Sequence, residues 1–228
     1  CPLLAAAEPS SRNFSVTLKI GFIGASGLMG HGMAKNLQAK GHPLALTVHH
    51  NREPLADLLA AGATEVANGK ALAQACDVVF VCVTGSPQVE AAMLGDVGVL
   101  AGARPGLMVV DCSTSEPDST TKLRAAAMAV GAVFVDAPLS RTPVEAEAGR
   151  LNVMVGADDA TFARIKPVLE AVAENIFQVG GPGAGHIIKL LNNFIAQSIC
   201  TATAEAFAVG QRAGVNVQAL VDLIAKGP

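Results

Sequence analysis

The sequence predicts an α/β fold in which a doubly wound parallel sheet precedes a helical region. From residue 18 onward, short apolar segments rich in Val and Ile alternate with stretches of helical character, the pattern of parallel βαβ units. The segment 78–83 is apolar at every position, which indicates a strand buried on both faces. After residue 183 the alternation stops, and some thirty residues without proline predict one helix of about 45 Å.

The elements follow one another in a regular order. Strands are predicted at residues 18–23, 44–48, 78–83, 107–111, 132–136, 152–155 and 176–179. Helices are predicted at residues 28–40, 54–61, 87–94, 117–130, 160–173, 184–213 and 217–226. Three of these helices are followed by Gly41, Gly62 and Gly131, the residue type that best adopts the left-handed backbone at a helix end. Pro117 suits a first helical turn.

These elements divide the chain into three parts. Residues 1–17 are rich in Ala, Ser and Pro and are expected to be a disordered tail or the remnant of a targeting segment. Residues 18–182 form the predicted sheet domain. Residues 183–228 are expected to contain an interdomain helix and a truncated helical domain.

Composition excludes several classes of function. Sixteen basic and nineteen acidic residues give a net charge of -3 without a long run of either sign, which predicts neither a nucleic-acid nor a membrane partner. The longest apolar stretches fall short of the roughly 20 residues that span a bilayer. No tyrosine is present, so a phenolic general acid or a tyrosine nucleophile is excluded.

The five cysteines stand far apart, with no Cys-x-x-Cys pair and no histidine at metal-ligand spacing. No metal site is therefore expected, and isolated cysteines in apolar segments indicate a reducing compartment. We expect a cytoplasmic protein, or one of an organelle matrix if residues 1–15 are a targeting remnant.

A glycine-rich turn lies between the first predicted strand and the first predicted helix. Small residues there let the backbone approach a pyrophosphate, and the helix N-terminus offers N–H groups and the positive end of the helix dipole. With further βαβ units behind it, the turn predicts a dinucleotide site in a Rossmann-type sheet. A tight turn without a ligand is the alternative. Gly24 and Gly27 are three apart, one residue more than in G-x-G-x-x-G. The candidate cofactor-binding residues are Gly24, Ala25, Ser26, Gly27, Leu28 and Met29.

The end of the second predicted strand bears on cofactor choice. An acidic residue there would bind the free ribose hydroxyl of NAD, but no acid appears before Glu53. Asn51 and Arg52 fit a 2′-phosphate better, so NADP(H) is favoured over NAD(H). The alternative is that these side chains are simply solvated at a strand end.

Three later segments carry further motifs. They read Asp-Cys-Ser-Thr-Ser-Glu-Pro at 111–117, Asp-Ala-Pro-Leu-Ser-Arg-Thr at 136–142 and Gly-Ala-Gly-His-Ile-Ile-Lys-Leu-Leu-Asn-Asn at 183–193. With the glycine turn, in this order and at these separations, the chain from Lys19 onward resembles the β-hydroxyacid dehydrogenase family, which includes 3-hydroxyisobutyrate dehydrogenase and 2-hydroxy-3-oxopropionate reductase.

The last motif contains the candidate catalytic residue. Lys189 and Asn193 are four apart on a helix, so both side chains can converge on one substrate. A lysine beside an oxidised nicotinamide has its charged form disfavoured, which suits proton exchange near neutral pH. The resemblance implies that Lys189 is the general acid/base and that Asn193 binds substrate. It also implies that Thr114 lies against the nicotinamide ribose and that Val83 and Thr84 line the cofactor. Without the resemblance, a solvated lysine would be the preferred interpretation.

The loop at residues 140–142 departs from the family. By the resemblance, Ser140 begins a loop that holds the substrate anion, but the usual Ser-Gly-Gly is here Ser140, Arg141 and Thr142. An arginine adds a fork-shaped donor for a carboxylate or another oxyanion. The Arg-Thr pair resembles the sulfolactaldehyde reductase branch, whose substrate carries a sulfonate.

The expected function is hydride transfer between NADP(H) and a small anionic 3-hydroxy acid or semialdehyde. An imine reductase is disfavoured by Lys189, because those relatives usually have Asp or Tyr at this position. A non-catalytic dinucleotide-binding module is disfavoured because Lys189 and Asn193 occur together. Family members carry roughly another 60 to 80 residues of helical domain. That domain builds the dimer, so we expect a homo-oligomer when it is complete and weak or absent activity from the isolated chain.

Overall fold

The computed structural model describes residues 17–48 and 52–227. In this part of the chain, nine strands form one sheet, and there are also nine α-helices, of which the last contacts the helix before it. The strands are β1 (Ile20–Ile23), β2 (Leu44–Thr47), β3 (Thr64–Val66), β4 (Val78–Val81), β5 (Met108–Asp111), β6 (Val133–Asp136), β7 (Leu139–Ser140), β8 (Leu151–Gly156) and β9 (Ala173–Gly180).

The helices occupy most of the connections between strands. They are α1 (Gly30–Ala39), α2 (Ala56–Ala60), α3 (Gly69–Ala75), α4 (Ser86–Met93), α5 (Pro117–Ala129), α6 (Pro143–Glu147), α7 (Asp159–Leu169), α8 (Ala184–Arg212) and α9 (Val217–Ala225). Short 3-10 turns lie at Glu53–Leu55 and Val99–Gly102.

The strand order confirms the predicted fold class. The sheet runs β3-β2-β1-β4-β5-β6, and all neighbours in this part are parallel. Beside β6 the sheet continues with β8, which is antiparallel to β6 and β7. β9 lies parallel to β8. β8 and β9 therefore run opposite to the parallel strands, whereas β7 keeps the direction of β6. Residues 141–150 hold only the five-residue α6, too little chain for the parallel crossover of a dozen or more residues.

Apolar strands account for both faces of the core. Every residue of β4 is buried, as its continuous apolar sequence predicts. On one face Phe22 and Phe80 stack with ring centroids 5.9 Å apart, in a cluster with α1 and α7 side chains. On the other face Val79 and Val81 pack with residues of α3, α4 and α5.

Several short elements escaped prediction. β3 is a three-residue strand with exposed Thr64 and Glu65, so it lacks an apolar pattern. α3 begins at an N-cap, Asn68, whose side chain accepts a hydrogen bond from the backbone N–H of Ala71 at 3.0 Å. β7 and α6 were missed as well. α7 ends at Leu169, four residues before the predicted end, because the chain enters β9 at residue 173.

The glycines predicted at helix ends have the expected backbone. Gly41, Gly62 and Gly131 have φ angles of 91°, 98° and 73°. α8 begins on the sheet, where it contacts β6, β8, β9 and α5. Further along, its large apolar side chains are exposed, and Phe194 is 71% accessible. Among the described residues, no helix combines the length and hydrophobicity that crossing a bilayer requires.

Candidate active site

Four parallel strands end in one row of the sheet, and the candidate site begins there. Ile23, Val81, Asp111 and Asp136 are the last residues of β1, β4, β5 and β6, and each is the register partner of the next. The loops that leave these strands therefore meet at one edge. Ligands of open α/β sheets bind at this carboxyl edge, where the strand order reverses on either side of β1.

Gly24, the first residue after β1, packs against the end of β4. Its φ angle is 92°, and a Cβ at this position would lie 2.0 Å from the carbonyl oxygen of Cys82. Only glycine satisfies both conditions, because other residues strain in the left-handed region and would collide with that backbone. The close approach fixes the start of the glycine-rich turn.

The remainder of the turn leads into α1. Gly30 begins the helix, and a Cβ there would lie 2.2 Å from the carbonyl oxygen of Gly24. Ser26, Gly27 and Leu28 are exposed, and Met29 is half-buried. Ala25 is buried, so only its backbone is available to a ligand.

The start of α1 has the features of an anion site. No side chain caps its N-terminus, and its first turn contains no acidic residue among those that the structure describes. Backbone N–H groups and the helix dipole therefore face the turn without a carboxylate from the first turn itself, and the nearby Asp57 and Glu147 carboxylates lie against the His31 ring. Both the close packing and the polarity of this cradle fit a dinucleotide pyrophosphate.

The predicted 2′-phosphate residues lie beyond β2. Asn51 lies outside the described residues. Arg52 is mostly exposed, and its guanidinium forms an ion pair with Glu65 of β3, with an N–O distance of 2.7 Å.

The loops after β4 and β5 hold three more of the predicted cofactor residues. Val83 is half-buried, whereas Thr84 and Thr114 are exposed. The two loops are joined by hydrogen bonds: the Val83 N–H donates to Ser113 Oγ at 3.0 Å, and a second bond lies between Glu116 and Ser86. The loops therefore form one surface beside the glycine turn.

A buried carboxylate shapes the loop that carries Thr114. Asp111 accepts hydrogen bonds from the Ser113 N–H and from the Ser115 hydroxyl, each at 2.9 Å. These bonds fold the chain back over the end of β5.

A second buried carboxylate anchors the start of α8. Asp136 Oδ1 accepts from the Gly183 N–H at 2.7 Å, and Oδ2 accepts from the His186 N–H at 3.2 Å. Burial raises the pKa of Asp136, and the hydrogen bond from Gly183 opposes that rise. The negative charge lies at the positive end of the helix dipole, so it fixes α8 to the end of β6.

His186 joins the two carboxylates. It is fully buried, its Nδ1 lies 2.7 Å from the Thr120 hydroxyl, and its Nε2 lies 3.6 Å from Asp111 Oδ2. Burial lowers the pKa of His186, and the charges of Asp111 and Asp136 oppose that shift. His186 Nε2 has no hydrogen-bond partner among the described residues.

Lys189 lies one turn further along the anchored helix. It is half-buried, and burial lowers the pKa of its ammonium group from the ordinary value of 10.5. Asn193, also half-buried, follows on the same face of α8. The Asp136 anchor thus fixes the first turn of α8 at the carboxyl edge of the sheet, and Lys189 follows His186 by one turn.

The loop at residues 140–142 begins four residues after β6. Ser140 is half-buried, and its hydroxyl oxygen accepts a hydrogen bond from Asn152 Nδ2 at 3.3 Å. Thr142 caps α6, and its hydroxyl donates to the carboxylate of Glu145 in a capping box. The Thr142 side chain is therefore engaged in the protein.

Arg141 has an unusual backbone and a fixed side chain. Its φ angle of 82° makes it the one non-glycine residue with positive φ in the described part of the chain. Its guanidinium pairs with Glu174 and donates to the carbonyl oxygen of Arg150. The ion pair lowers the pKa of Glu174. Glycine, usual here in the family, tolerates this backbone without strain.

Sequence reasoning missed four polar residues that shape the site, namely Asp111, Asp136, His186 and Asn152. A signal existed for the two aspartates, because each is a charged residue that ends an otherwise apolar buried strand. Among the described residues, no group of His, Cys, Asp and Glu is arranged to hold a metal ion.

Comparison with known proteins assigns the chain to a family. Residues 19–181 match the family described as the NAD binding domain of 6-phosphogluconate dehydrogenase. Residues 183–228 match the family described as NAD-binding of NADP-dependent 3-hydroxyisobutyrate dehydrogenase. The chain belongs to the β-hydroxyacid dehydrogenase family. It is accordingly an NAD(P)-dependent oxidoreductase.

Individual members of the family are similar over most of this chain. The 2-(hydroxymethyl)glutarate dehydrogenase of Eubacterium barkeri is 37% identical over 213 residues, which cover 92% of this chain and 69% of that protein. The 2-hydroxy-3-oxopropionate reductase of Escherichia coli is 36% identical over 200 residues, covering 87% and 67%. The Mycobacterium tuberculosis 3-hydroxyisobutyrate dehydrogenase structure with L-serine matches with a TM-score of 0.83 and 31% identity, covering 92% of this chain and 71% of that one.

Proposed function

We propose that this family member transfers a hydride between NADP(H) and a small anionic 3-hydroxy acid or its semialdehyde, with Lys189 as general acid/base. The observation that carries the proposal is that Lys189 is half-buried and lies one turn beyond His186, on the helix whose start Asp136 anchors to the end of β6. When bound, the nicotinamide would supply or accept the hydride.

Lys189 handles the proton in both directions. In reduction, protonated Nζ donates to the oxygen that forms the new hydroxyl group. In oxidation, neutral Nζ accepts the proton of the substrate hydroxyl. The lowered pKa supports this role, because a group that exchanges protons works best when its pKa approaches the working pH.

The substrate anion binds at the loop that begins with Ser140. The Ser140 hydroxyl and the backbone N–H of Arg141 supply donors, and Asn193 binds the substrate from α8. Thr142 adds a donor only after its N–H leaves the Glu145 carboxylate. The Arg141 guanidinium contacts the substrate only after leaving Glu174. Arg141→Gly therefore tests whether this side chain selects among anions, since unchanged rates with carboxylates and sulfonates would exclude that role.

The cofactor preference rests on the end of β2. The exposed Arg52 guanidinium, with Asn51 beside it in the chain, would bind a 2′-phosphate after leaving its ion pair with Glu65. Gly24 to Met29 bind the pyrophosphate, Thr114 contacts the nicotinamide ribose, and Val83 and Thr84 line the nicotinamide end.

A substrate and cofactor panel tests the function. The full protein is assayed by nicotinamide absorbance with NADPH or NADH against tartronate semialdehyde and sulfolactaldehyde, and with NADP+ or NAD+ against 3-hydroxyisobutyrate. Turnover of at least one carboxylate substrate, with a lower KM for the phosphorylated cofactor, is expected. Cofactor binding without turnover of any of these substrates would contradict the proposal and favour a binding module. Turnover of sulfolactaldehyde alone would mean that the substrate anion is a sulfonate and not a carboxylate.

The exposed part of α8 supports a homo-oligomer. Leu191, Phe194, Ile195 and Ile199 form an apolar row at helical spacing, and all four are exposed in the part of the chain that the structure describes. Light scattering during gel filtration is expected to give a mass above that of one chain. A monomeric mass across a hundredfold range of concentration would contradict this proposal.

A further inference from the structure

A row of polar side chains crosses the last three strands of the sheet. Ser140 of β7 is the register partner of Asn152 of β8, and Asn152 is the register partner of Asn175 of β9. Register partners carry their side chains on the same face of a sheet. The three side chains are linked, because Asn175 Nδ2 donates to Asn152 Oδ1 at 2.9 Å and Asn152 Nδ2 donates to Ser140 Oγ at 3.3 Å.

This row faces the side of the sheet where α8 begins. Leu151, Val153 and Val155 of β8 point into the core cluster that includes α7 side chains. Alternation along a strand places Asn152 and Met154 on the opposite face. That face carries the start of α8, because His186 of α8 lies 2.7 Å from the Thr120 hydroxyl of α5, and α5 packs on the face opposite the α7 cluster. The polar row and the helix of Lys189 therefore share one face.

The direction of the hydrogen bonds determines what Ser140 can offer. A serine hydroxyl has one proton and two lone pairs. Asn152 occupies a lone pair by donating to the oxygen, and none of the residues that the structure describes accepts the hydroxyl proton. The proton is thus left for another acceptor, and donation along a chain of hydrogen bonds strengthens the last donor.

We propose that Asn152 and Asn175 are positioning residues that hold the Ser140 hydroxyl as a donor and so make the site select a substrate with an anionic oxygen. The inference rests on the proposed function, in which Ser140 contacts the substrate anion. It adds two residues outside the loop and assigns a direction to the contact. A site built to donate a hydrogen bond discriminates strongly against a ligand that lacks the acceptor.

A double-mutant cycle in the full protein tests the coupling. Ser140→Ala, Asn152→Ala and the double variant are compared by KM for the best carboxylate substrate, kcat and KM for the cofactor. We expect Asn152→Ala to raise the substrate KM about tenfold when Ser140 is present, and less than about twofold in the Ser140→Ala background. Cofactor KM should stay unchanged, which a general loss of structure would not allow.

Replacing the amide of Asn152 by a carboxylate tests the direction of its hydrogen bond with Ser140. Asn152→Asp replaces the donor by an acceptor, which would take the Ser140 proton, and it adds a charge of the same sign as the substrate. We expect a rise in substrate KM about tenfold larger than that of Asn152→Ala, with kcat changed less. Asn175→Ala, which leaves Asn152 in place, is expected to raise KM about threefold. Asn175→Ala also tests the polar row if the Asn152 variants fail to fold.

The outcomes separate this inference from the function on which it rests. An unchanged KM in Ser140→Ala would overturn the proposed substrate loop. Two results would overturn only the polar row, provided that Ser140→Ala raises the substrate KM. In the first, Asn152→Ala changes the KM equally with and without Ser140. In the second, Asn152→Ala does not change the KM at all. An Asn152→Asp enzyme with the KM of the wild type would show that Ser140 donates to residue 152 and would overturn the assigned direction.

Discussion

Replacing Gly24 by alanine should damage the protein far more than the same change at Gly41. Both glycines have left-handed backbones, with φ angles of 92° and 91°. A Cβ at Gly24 would lie 2.0 Å from the Cys82 carbonyl oxygen, whereas a Cβ at Gly41 would meet no atom within 4 Å. The pair therefore separates the cost of the backbone conformation from the cost of the collision.

The two costs can be worked out separately. The left-handed conformation costs an alanine about 1 kcal/mol, and Gly41→Ala should lose about that much free energy of unfolding. At Gly24 the turn or the end of β4 must also move by about 1.4 Å to reach an ordinary contact distance. Overpacking of this kind adds about 1 to 3 kcal/mol, so Gly24→Ala should lose about 2 to 4 kcal/mol in total.

Urea unfolding and cofactor titration measure the two effects. We expect Gly24→Ala to weaken NADPH binding by more than about tenfold, because the displaced turn no longer cradles the pyrophosphate. Gly41→Ala should bind NADPH like the wild type, since it lies at the far end of α1. Equal losses of stability in both variants, or normal NADPH affinity in Gly24→Ala, would refute the reasoning.

Three further predictions concern the anchor of α8, the cofactor and the thiols. Asp136→Ala leaves two helix N–H groups without their acceptor; it should lower the free energy of unfolding by about 3 kcal/mol and reduce kcat, whereas unchanged urea unfolding would argue against the anchor. Glu65→Gln removes the charge that holds Arg52, so the Kd for NADPH should fall while the Kd for NADH stays constant; an equal change for both cofactors would contradict a 2′-phosphate contact. Burial raises the pKa of the Cys82 thiol to about 12, so iodoacetamide at pH 8 should label the exposed Cys200 and spare Cys82, as read by mass spectrometry, and the reverse order would contradict the described burial.

The buried strands could be predicted from their apolar sequence. The edge strand β3 and the direction of β8 could not, because they depend on position in the sheet and on the length of a connection. The central strands β1, β4, β5 and β6 are apolar and buried, so their hydrophobic pattern predicted their existence and their parallel order. β3 has an exposed polar pattern because it lies at the sheet edge, and sequence periodicity therefore missed it. The reversal at β8 follows from a short connection, which hydrophobic pattern does not encode.

For the candidate site, motifs predicted which residues matter but not how they are held. Lys189 and the glycine turn could be named from the sequence, and their roles remain predictions. The contact between Asp136 and Gly183 joins residues 47 apart, so no local pattern could reveal it. No local pattern reveals the partner of Arg141 either. Its sequence position suggested a substrate contact, but its guanidinium pairs with Glu174, 33 residues away.

The central claim is that Lys189 exchanges the proton of the reaction, and its replacement by methionine tests this most directly. Methionine keeps the length and most of the apolar stem but removes the ammonium group. Burial lowers the pKa of Lys189, so the neutral form needed for oxidation is populated below the ordinary 10.5. Wild-type oxidation should therefore rise with pH below that value, and reduction should fall. Measured with the cofactor Kd in parallel, Lys189→Met should lower kcat about 10²- to 10⁴-fold, lose that rise and keep its affinity for NADP(H). Near-normal turnover with the same pH profile would contradict the claim.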